Sequence, residues 1–456
     1  MNTTNRRNLL AAALIGAAFT NTLAYAQAQP ADDKAAAAAP KASAGILPLP
    51  YYSGDLATRE YLTGDWGGFR NDLANHGLTL SPEWTQWAQG VVSGGKDTGW
   101  EYGGAFDIPG SFDLMRLGLV PGGLVQFRMD SRYGKTVNSD TGTLLPVNTA
   151  GSVPITGSTD ESIAALTQLN YAQFLGEQFA VTFGKVQTYD GDANEFASGR
   201  GNRQFMNFNF VFNSVYARTV PYSTLAAGII VMPTKAITIT STVMNTADSS
   251  TTSGFNDIDK GTTWATEAYF QYKLGKLPGG MCLGGTYAFN NDFAELNGQF
   301  QIQPGAGIVL PRKSDSWCVY WNGWQYLYSP DEAPAKIDLG NGKPDMRGFG
   351  LFARLGYADK DTSPVEWSAS GGLGGRGLIP GRDNDTWGVG YNYDSLTDTR
   401  LGSVLNLRTY GQGFEAFYDL AITRAVDLTF DVQWVESARA SIAAATVLAA
   451  RLDVRF

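Results

Sequence analysis

The chain has 456 residues, room for one large barrel or two to three soluble domains. Glycine is abundant at 54, aromatics reach 12% and charged residues only 17%, which suits a large all-β protein. A net charge of −9 argues against a nucleic-acid partner, and a single histidine excludes any two-histidine metal site.

Residues 1–26 read as a secretory signal: Arg6 and Arg7, then an apolar run from Leu9 to Phe19, then Ala24-Tyr25-Ala26 as the cleavage site. The arginine pair also fits twin-arginine export, but a membrane barrel travels unfolded, which favours the general route. No later run of 18 apolar residues exists to form a transmembrane helix. Residues 27–60 form a leader that begins in low-complexity Ala, Pro, Gln and Lys, and it is expected to be loosely held. In 61–77, Gly64-Asp65-Trp66-Gly67-Gly68 is a turn, and Phe69 to His76 a short helix stopped by Gly77. Serine–histidine catalysis would depend on His76 alone, and its place at a helix end favours a structural role.

From Leu78 the pattern predicts sixteen strands: 78–91, 99–118, 124–133, 163–175, 178–188, 211–220, 236–246, 262–274, 281–290, 315–328, 346–358, 365–375, 386–394, 411–421, 425–435 and 446–456. The sixth is expected to extend through Tyr222 to Val231. Short turns alternate with long excursions at 134–162, 189–210, 247–261, 291–314 and 395–410; only 329–345 is long where a short turn is expected. One tight rim and one looped rim mark a bacterial membrane barrel. Alternation is clearest at the end of the chain. Val426, Leu428, Phe430, Val432 and Trp434 oppose Asp427, Thr429, Asp431 and Gln433; Leu448, Ala450, Leu452, Val454 and Phe456 oppose Arg451, Asp453 and Arg455. Lipid outside and a watery lumen inside satisfy both faces. The prediction is an all-β transmembrane antiparallel β-barrel over 78–456, with a short helical segment before it.

Gly64, Asp65, Trp66, Gly67, Gly68, Arg70, Leu73 and Gly77 resemble the N-terminal signature of the carbohydrate-selective outer-membrane porins of the OprB type. The resemblance continues at Ala193 to Phe196, Arg203 to Asn207, Leu351 to Tyr393 and Glu415 to Phe456. Val435-Glu436-Ser437 departs from it where a proline is expected. The resemblance implies that 61–77 lies on the periplasmic side. It also implies passive diffusion of small, glucose-like sugars through a water-filled pore in the outer membrane, with no cofactor and no enzymatic step. The implied partners are small sugars, outer-membrane lipid and the barrel-assembly machinery, the last through the strand ending in Phe456. A general non-selective porin and a structural or adhesive barrel are the alternatives.

Sugars need hydrogen-bonding donors and acceptors, with aromatic faces for stacking. Arg128 and Asp130 on the third strand, Arg132 just above them and Arg354 on the eleventh are the expected polar lining. Asn194 and Glu195 fall in the loop expected to fold inward. Arg376 and Arg382 serve equally as loop clamps or as solute contacts. Each of these residues could instead be lumen charge without selectivity. Trp84 and Trp87 are three apart, so at most one is a lumen platform. Cys282 and Cys318 lie on neighbouring strands but near opposite ends, a poor disulfide placement. Gly372 to Gly377 fits a dinucleotide motif, but Pro380-Gly381 breaks the helix it would need, leaving strand and turn. Asp427 and Asp431 could suit glycosidase chemistry, but on an alternating strand they are more simply lumen-facing.

Overall fold

Alternating strands close into a ring in the computed structural model, which describes residues 45–155, 162–190, 194–305, 307–331 and 346–456. Sixteen of them form the wall: β1 Glu83–Ser93, β2 Gly99–Asp113, β3 Gly123–Gly134, β4 Ile163–Phe174, β5 Phe179–Gln187, β6 Ser223–Thr234, β7 Ile237–Asn245, β8 Thr262–Leu274, β9 Leu277–Phe289, β10 Ser316–Tyr328, β11 Gly348–Ala358, β12 Val365–Arg376, β13 Thr386–Leu396, β14 Tyr410–Ala421, β15 Val426–Val435 and β16 Ala445–Arg455. Each pairs antiparallel with the next, and β16 pairs with β1 from Arg455 opposite Glu83 to Thr446 opposite Ser93. Ring closure leaves no unpaired edge for the bilayer to solvate. The expected signal segment 1–26, the leader through residue 44 and most of 329–345 lie outside the described residues.

Period-two alternation sets the two faces. On β15, Asp427, Thr429, Asp431 and Gln433 are buried, while Phe430, Val432 and Trp434 are exposed on the outside. Outward rings collect near the long-loop rim as Trp264, Tyr287, Tyr357, Trp367, Tyr391 and Trp434, and near the other rim as Phe112, Tyr272 and Tyr328. Two such girdles around an apolar band are the interface anchors of a transmembrane barrel. Of the glycines that the sequence offered as a dinucleotide motif, Gly372 and Gly374 face inward on β12 and Gly377 follows in the turn. Cys282 and Cys318 are buried and unlinked; Cys282 sits opposite Asn322 and Cys318 opposite Thr286, four residues apart along the strands.

One expected strand is corrected. Residues 211–220 are helical turns, Phe208–Val211 and Ser214–Arg218, and the sixth strand begins at Ser223. Alternating Phe and Asn in 207–213 imitates a strand. The asparagines instead cap the two turns: Asn207 accepts from the Asn209 amide and Asn213 from the Val215 amide.

The leader is also more ordered than its composition suggests. From Gly45 it crosses the terminal rim. The Ile46 and Leu47 amides donate to Asp113 at 2.6 and 3.1 Å, and both side chains pack on Leu124, Ala172, Phe174, Ala180, Ile230 and Met232. The turn at Gly64–Gly68 then runs through left-handed φ at Gly64, Trp66, Gly67 and Gly68, which explains its glycines. Helix α1, Phe69–Asn75, follows and stops before Gly77 at φ 98°. His76 only returns its ring nitrogen to the Asp72 carbonyl at 2.7 Å.

Arg70 on α1 ties this segment to the closing strand. It is 2% exposed, and its guanidinium donates to the carbonyls of Leu80 at 2.6 Å and Phe456 at 2.7 Å. Tyr52, Tyr61 and Trp66 surround it, with Tyr52 3.8 Å away, ring centroid to guanidinium. Phe456 turns its ring edge-on to Phe106, centroids 6.3 Å apart. Replacing Arg70 with alanine removes its hydrogen bonds to the Gly64, Leu80 and Phe456 carbonyls and the stacking, about 2–3 kcal/mol. The expected result is a lower temperature for the heat-induced gel shift of the folded barrel; an unchanged midpoint would show that the clamp carries no stability.

Candidate functional site

The connection between β5 and β6, described over 188–190 and 194–222, does not stand outside the rim. It folds into the lumen and is held there in two ways. Its apolar side is a chain of rings, Phe196, Phe205, Phe208, Phe210 and Phe212, packed with Trp324, Tyr326, Phe352 and Phe417 on the inward faces of β10, β11 and β14. Phe205 lies 4.9 Å from Phe417 and 5.3 Å from Phe352, ring to ring. Inward glycines make the room. A Cβ on Gly350 or Gly374 would stand 2.6 Å from Phe196, one on Gly388 2.8 Å from Phe205, and one on Gly390 2.7 Å from Phe210. The glycine-rich block of β11–β13 is therefore the socket for this loop. Each ring that leaves water contributes roughly 1.5–3 kcal/mol.

Its polar side meets a wall of inward charge on β1–β3 and β14–β16. Arg128 bonds to Asp190 of the loop and lies 3.5 Å from Asp130. Arg200 of the loop reaches Asp107 at 3.5 Å, Asp130 at 3.4 Å and Asp190 at 3.8 Å, and donates to the Tyr222 hydroxyl at 2.8 Å. That hydroxyl in turn donates to Asp130 at 2.5 Å. Burial alone would push the Arg200 guanidinium down, but Tyr222, Asp130, Asp107 and Asp190 hold it well above its ordinary value. Nearby, Arg203 meets Glu83 at 2.9 Å and Asp453 at 3.5 Å. Arg451 donates to the Gly201 and Gln204 carbonyls at 2.5 and 2.8 Å, and Glu415 accepts from the Met206 and Asn207 amides at 2.5 and 3.0 Å.

The residues expected to line the pore divide accordingly. Arg128, Asp130, Arg132, Asn194 and Arg354 are inward but at most 2% exposed, and their described partners belong to the folded wall and loops. Arg132 donates to the Gly151 and Pro154 carbonyls at 3.3 and 3.1 Å. Arg354 donates to the Ala197 carbonyl. Asn194 caps the Phe196 and Ala197 amides and donates to Asn322 at 2.7 Å. Glu195 is half-buried and accepts from the Tyr326 hydroxyl at 2.9 Å. Arg376 stands apart at the terminal rim with Asn384 at 3.0 Å, while Arg382 clamps its own turn through Asp385 at 2.7 Å. Trp87 is buried inside and Trp84 points outward to the Tyr133 hydroxyl. Sequence reasoning missed Arg200, Asp190, Tyr222 and Asp107. The available signal was the density of phenylalanine in 205–212, too apolar for a loop in water.

Opposite the loop, inward residues of β6 and β8 stay half-exposed: Ala226 and Gly228, then Ala265, Glu267, Tyr269 and Gln271. Glu267 accepts from the Tyr320 hydroxyl at 2.7 Å and the Tyr269 hydroxyl at 2.9 Å. The Tyr320 ring lies over Gly284 of β9, and Tyr216 of the loop stands 5.6 Å from it, ring to ring. Nearer the long-loop mouth, Asn207, Asn209 and Asp394 line a half-open depression together with Leu144, Leu145 and Leu396.

A ring of this size, apolar outside and polar within, narrowed by its own loop, defines an outer-membrane channel protein. The chain belongs to the carbohydrate-selective porin, OprB family, whose profile matches residues 97–456. It is a sugar-selective porin of the bacterial outer membrane. The match begins after the Gly64–Gly77 segment. The fold is similar to Pseudomonas putida OprB in its high-pH structure, with TM-score 0.74, 20% identity, and coverage of 88% of this chain and 100% of that one. The low-pH structure of the same protein gives 0.51 and 16%, over 88% and 99%. The outer membrane channel DcaP of Acinetobacter baumannii gives 0.50 and 9%, over 83% and 97%. No curated protein sequence matches.

Removing the Arg200 side chain takes the ion pair from Asp107 and leaves Asp130 and Asp190 to Arg128 alone, and breaking a buried ion pair from one side costs about 3–5 kcal/mol. Arg200→Ala is expected to assemble, to show noisier single-channel current, and to expose 194–222 to protease. Quiet current and full protection would mean that the charge cluster does not hold the loop.

Proposed function

We propose that the solutes are glucose-like monosaccharides and that they pass along the side of the lumen the loop leaves open, in contact with Glu267, Tyr269 and Gln271, with the buried Tyr320 holding Glu267 from behind. The half-exposed Glu267 between two tyrosines carries this reading. A carboxylate accepts from several donors at once, so it can receive sugar hydroxyls while keeping its phenol partners. Tyrosine faces suit the C–H side of a pyranose. The contacts stay wet, so each nets only about 1 kcal/mol and release is fast. Arg128, Asp130, Asn194 and Arg354 act on selectivity indirectly, by fixing where the loop stands, and Arg132 by holding the neighbouring segment at Gly151 and Pro154. Residues 1–26 direct export, and the barrel-assembly machinery reads β16 with Phe456; the strict alternation of that strand supports this.

Sugar block of single-channel current tests the contact. Glu267→Gln keeps the shape and loses the charge. Block by glucose is expected to weaken about fivefold, the factor for roughly 1 kcal/mol, with conductance little changed. Unchanged block would remove Glu267 from the path. Liposome swelling that ranks sugars by size alone would overturn monosaccharide recognition itself.

A further inference from the structure

Lys185 is out of place on the outside of the barrel. Register puts it opposite Leu169 on β4 and Leu225 on β6, all on the outward face. A lysine facing lipid is destabilising, by about 2–4 kcal/mol at the midplane and less toward the rims. Yet Lys185 is only 8% exposed. Its ammonium donates to three carbonyls: Leu166 at 2.7 Å, Ser250 at 3.3 Å and Thr252 at 2.7 Å. Ser250 and Thr252 belong to the connection 246–261 between β7 and β8. That connection therefore folds down over the outer face of β4–β6 instead of rising from the rim.

Further contacts fix its course. The Ser249 amide donates to the Ser223 carbonyl at 2.7 Å, and the Ser223 amide to Asp248 at 3.0 Å. Gly254, at φ +80°, passes so close that a Cβ there would stand 3.1 Å from Leu225. The chain then makes a single turn, Phe255–Asp257, and leaves Phe255 69% and Ile258 57% exposed. The polar Lys260 pairs with Asp257 at 2.6 Å beside them.

The position matters because of what the barrel lacks there. Near this rim β8, β9, β11, β12, β13 and β15 carry outward rings, including Trp264, Tyr287, Tyr357 and Trp367. On β4–β6 the outward residues at that level are Leu166, Leu169, Lys185 and Leu225, with no ring among them. The loop brings Phe255 and Ile258 to the gap, continuous with the lipid-facing band.

We infer that the 246–261 connection is a lipid-docking element, with Phe255 and Ile258 entering the boundary between headgroups and acyl chains of the outer leaflet. Lys185 holds it down through backbone carbonyls, and the turn supplies the apolar contact that the strands omit. The occupant is lipid because the patch continues an established lipid-facing surface.

Site-directed spin labelling of the full chain in phospholipid vesicles tests this. Nitroxides go at Phe255→Cys and, separately, Ile258→Cys, with Leu351→Cys on the lipid band and Ile302→Cys on an exposed loop hairpin as references. Both native cysteines are buried, and unsubstituted protein controls for their labelling. Collision with oxygen exceeding collision with a water-soluble nickel chelate, as at Leu351, is expected at both positions. Nickel-dominated collision, as at Ile302, would overturn the inference. So would low access to both with spin–spin broadening, which would mean that a second copy of the chain covers the patch.

Discussion

A closed ring of sixteen strands encloses more space than its own side chains can fill, and that surplus governs the rest of the molecule. Eight strands are just filled by their inward residues; twice that number leaves an aqueous opening. Left unobstructed, such an opening would pass solutes by size alone. The chain resolves this chiefly with 188–222, joined by 137–155, whose Val137 and Val147 pack on inward Val91, Val435 and Val447; together they occupy part of the lumen and leave part of it wet.

Placing a loop inside a barrel raises two difficulties, and different strands answer them. Apolar rings need a dry surface, which the glycines of β11–β13 create by yielding their side-chain volume to Phe196, Phe205 and Phe210. A loop backbone needs hydrogen-bond partners, because buried amides and carbonyls are costly when unpaired. Glu415, Arg354 and Arg451 supply them from the wall. The carboxylates and guanidiniums of β1–β3 and β14–β16 are thus largely structural. Among the described residues, inward polar groups stay half-exposed on the β6–β8 side, so on the proposed reading holding the loop and meeting the solute fall to different strands.

How much of this was legible in the sequence follows from the range of the interactions. Alternation is local, so β15 and β16 could be read directly, and the inward sense of Arg128 and Asp130 came with it. The turn at Gly64–Gly68 was legible because left-handed backbone selects glycine. An inward fold was expected for the loop carrying Asn194 and Glu195, but not its extent through residue 222, because Phe208-Asn209-Phe210 has a strand's period while its rings face a lumen built by residues more than a hundred positions later. Nothing in the spacing of Arg128 and Asp130 shows that Arg200, Asp190 and Tyr222 return to cover them, so their burial was not legible. The leader composition hid Ile46 and Leu47, whose burial depends on a mouth formed by β3–β6.

The central claim is that the infolded 188–222 segment sets the width of the channel. Single-channel conductance of a barrel in which 194–218 is replaced by a short glycine–serine linker tests it most directly. The account predicts an assembled barrel, shown by its heat-induced gel shift, whose conductance rises several-fold and whose glucose block is largely lost. An assembled barrel with the parent's conductance and block would contradict it.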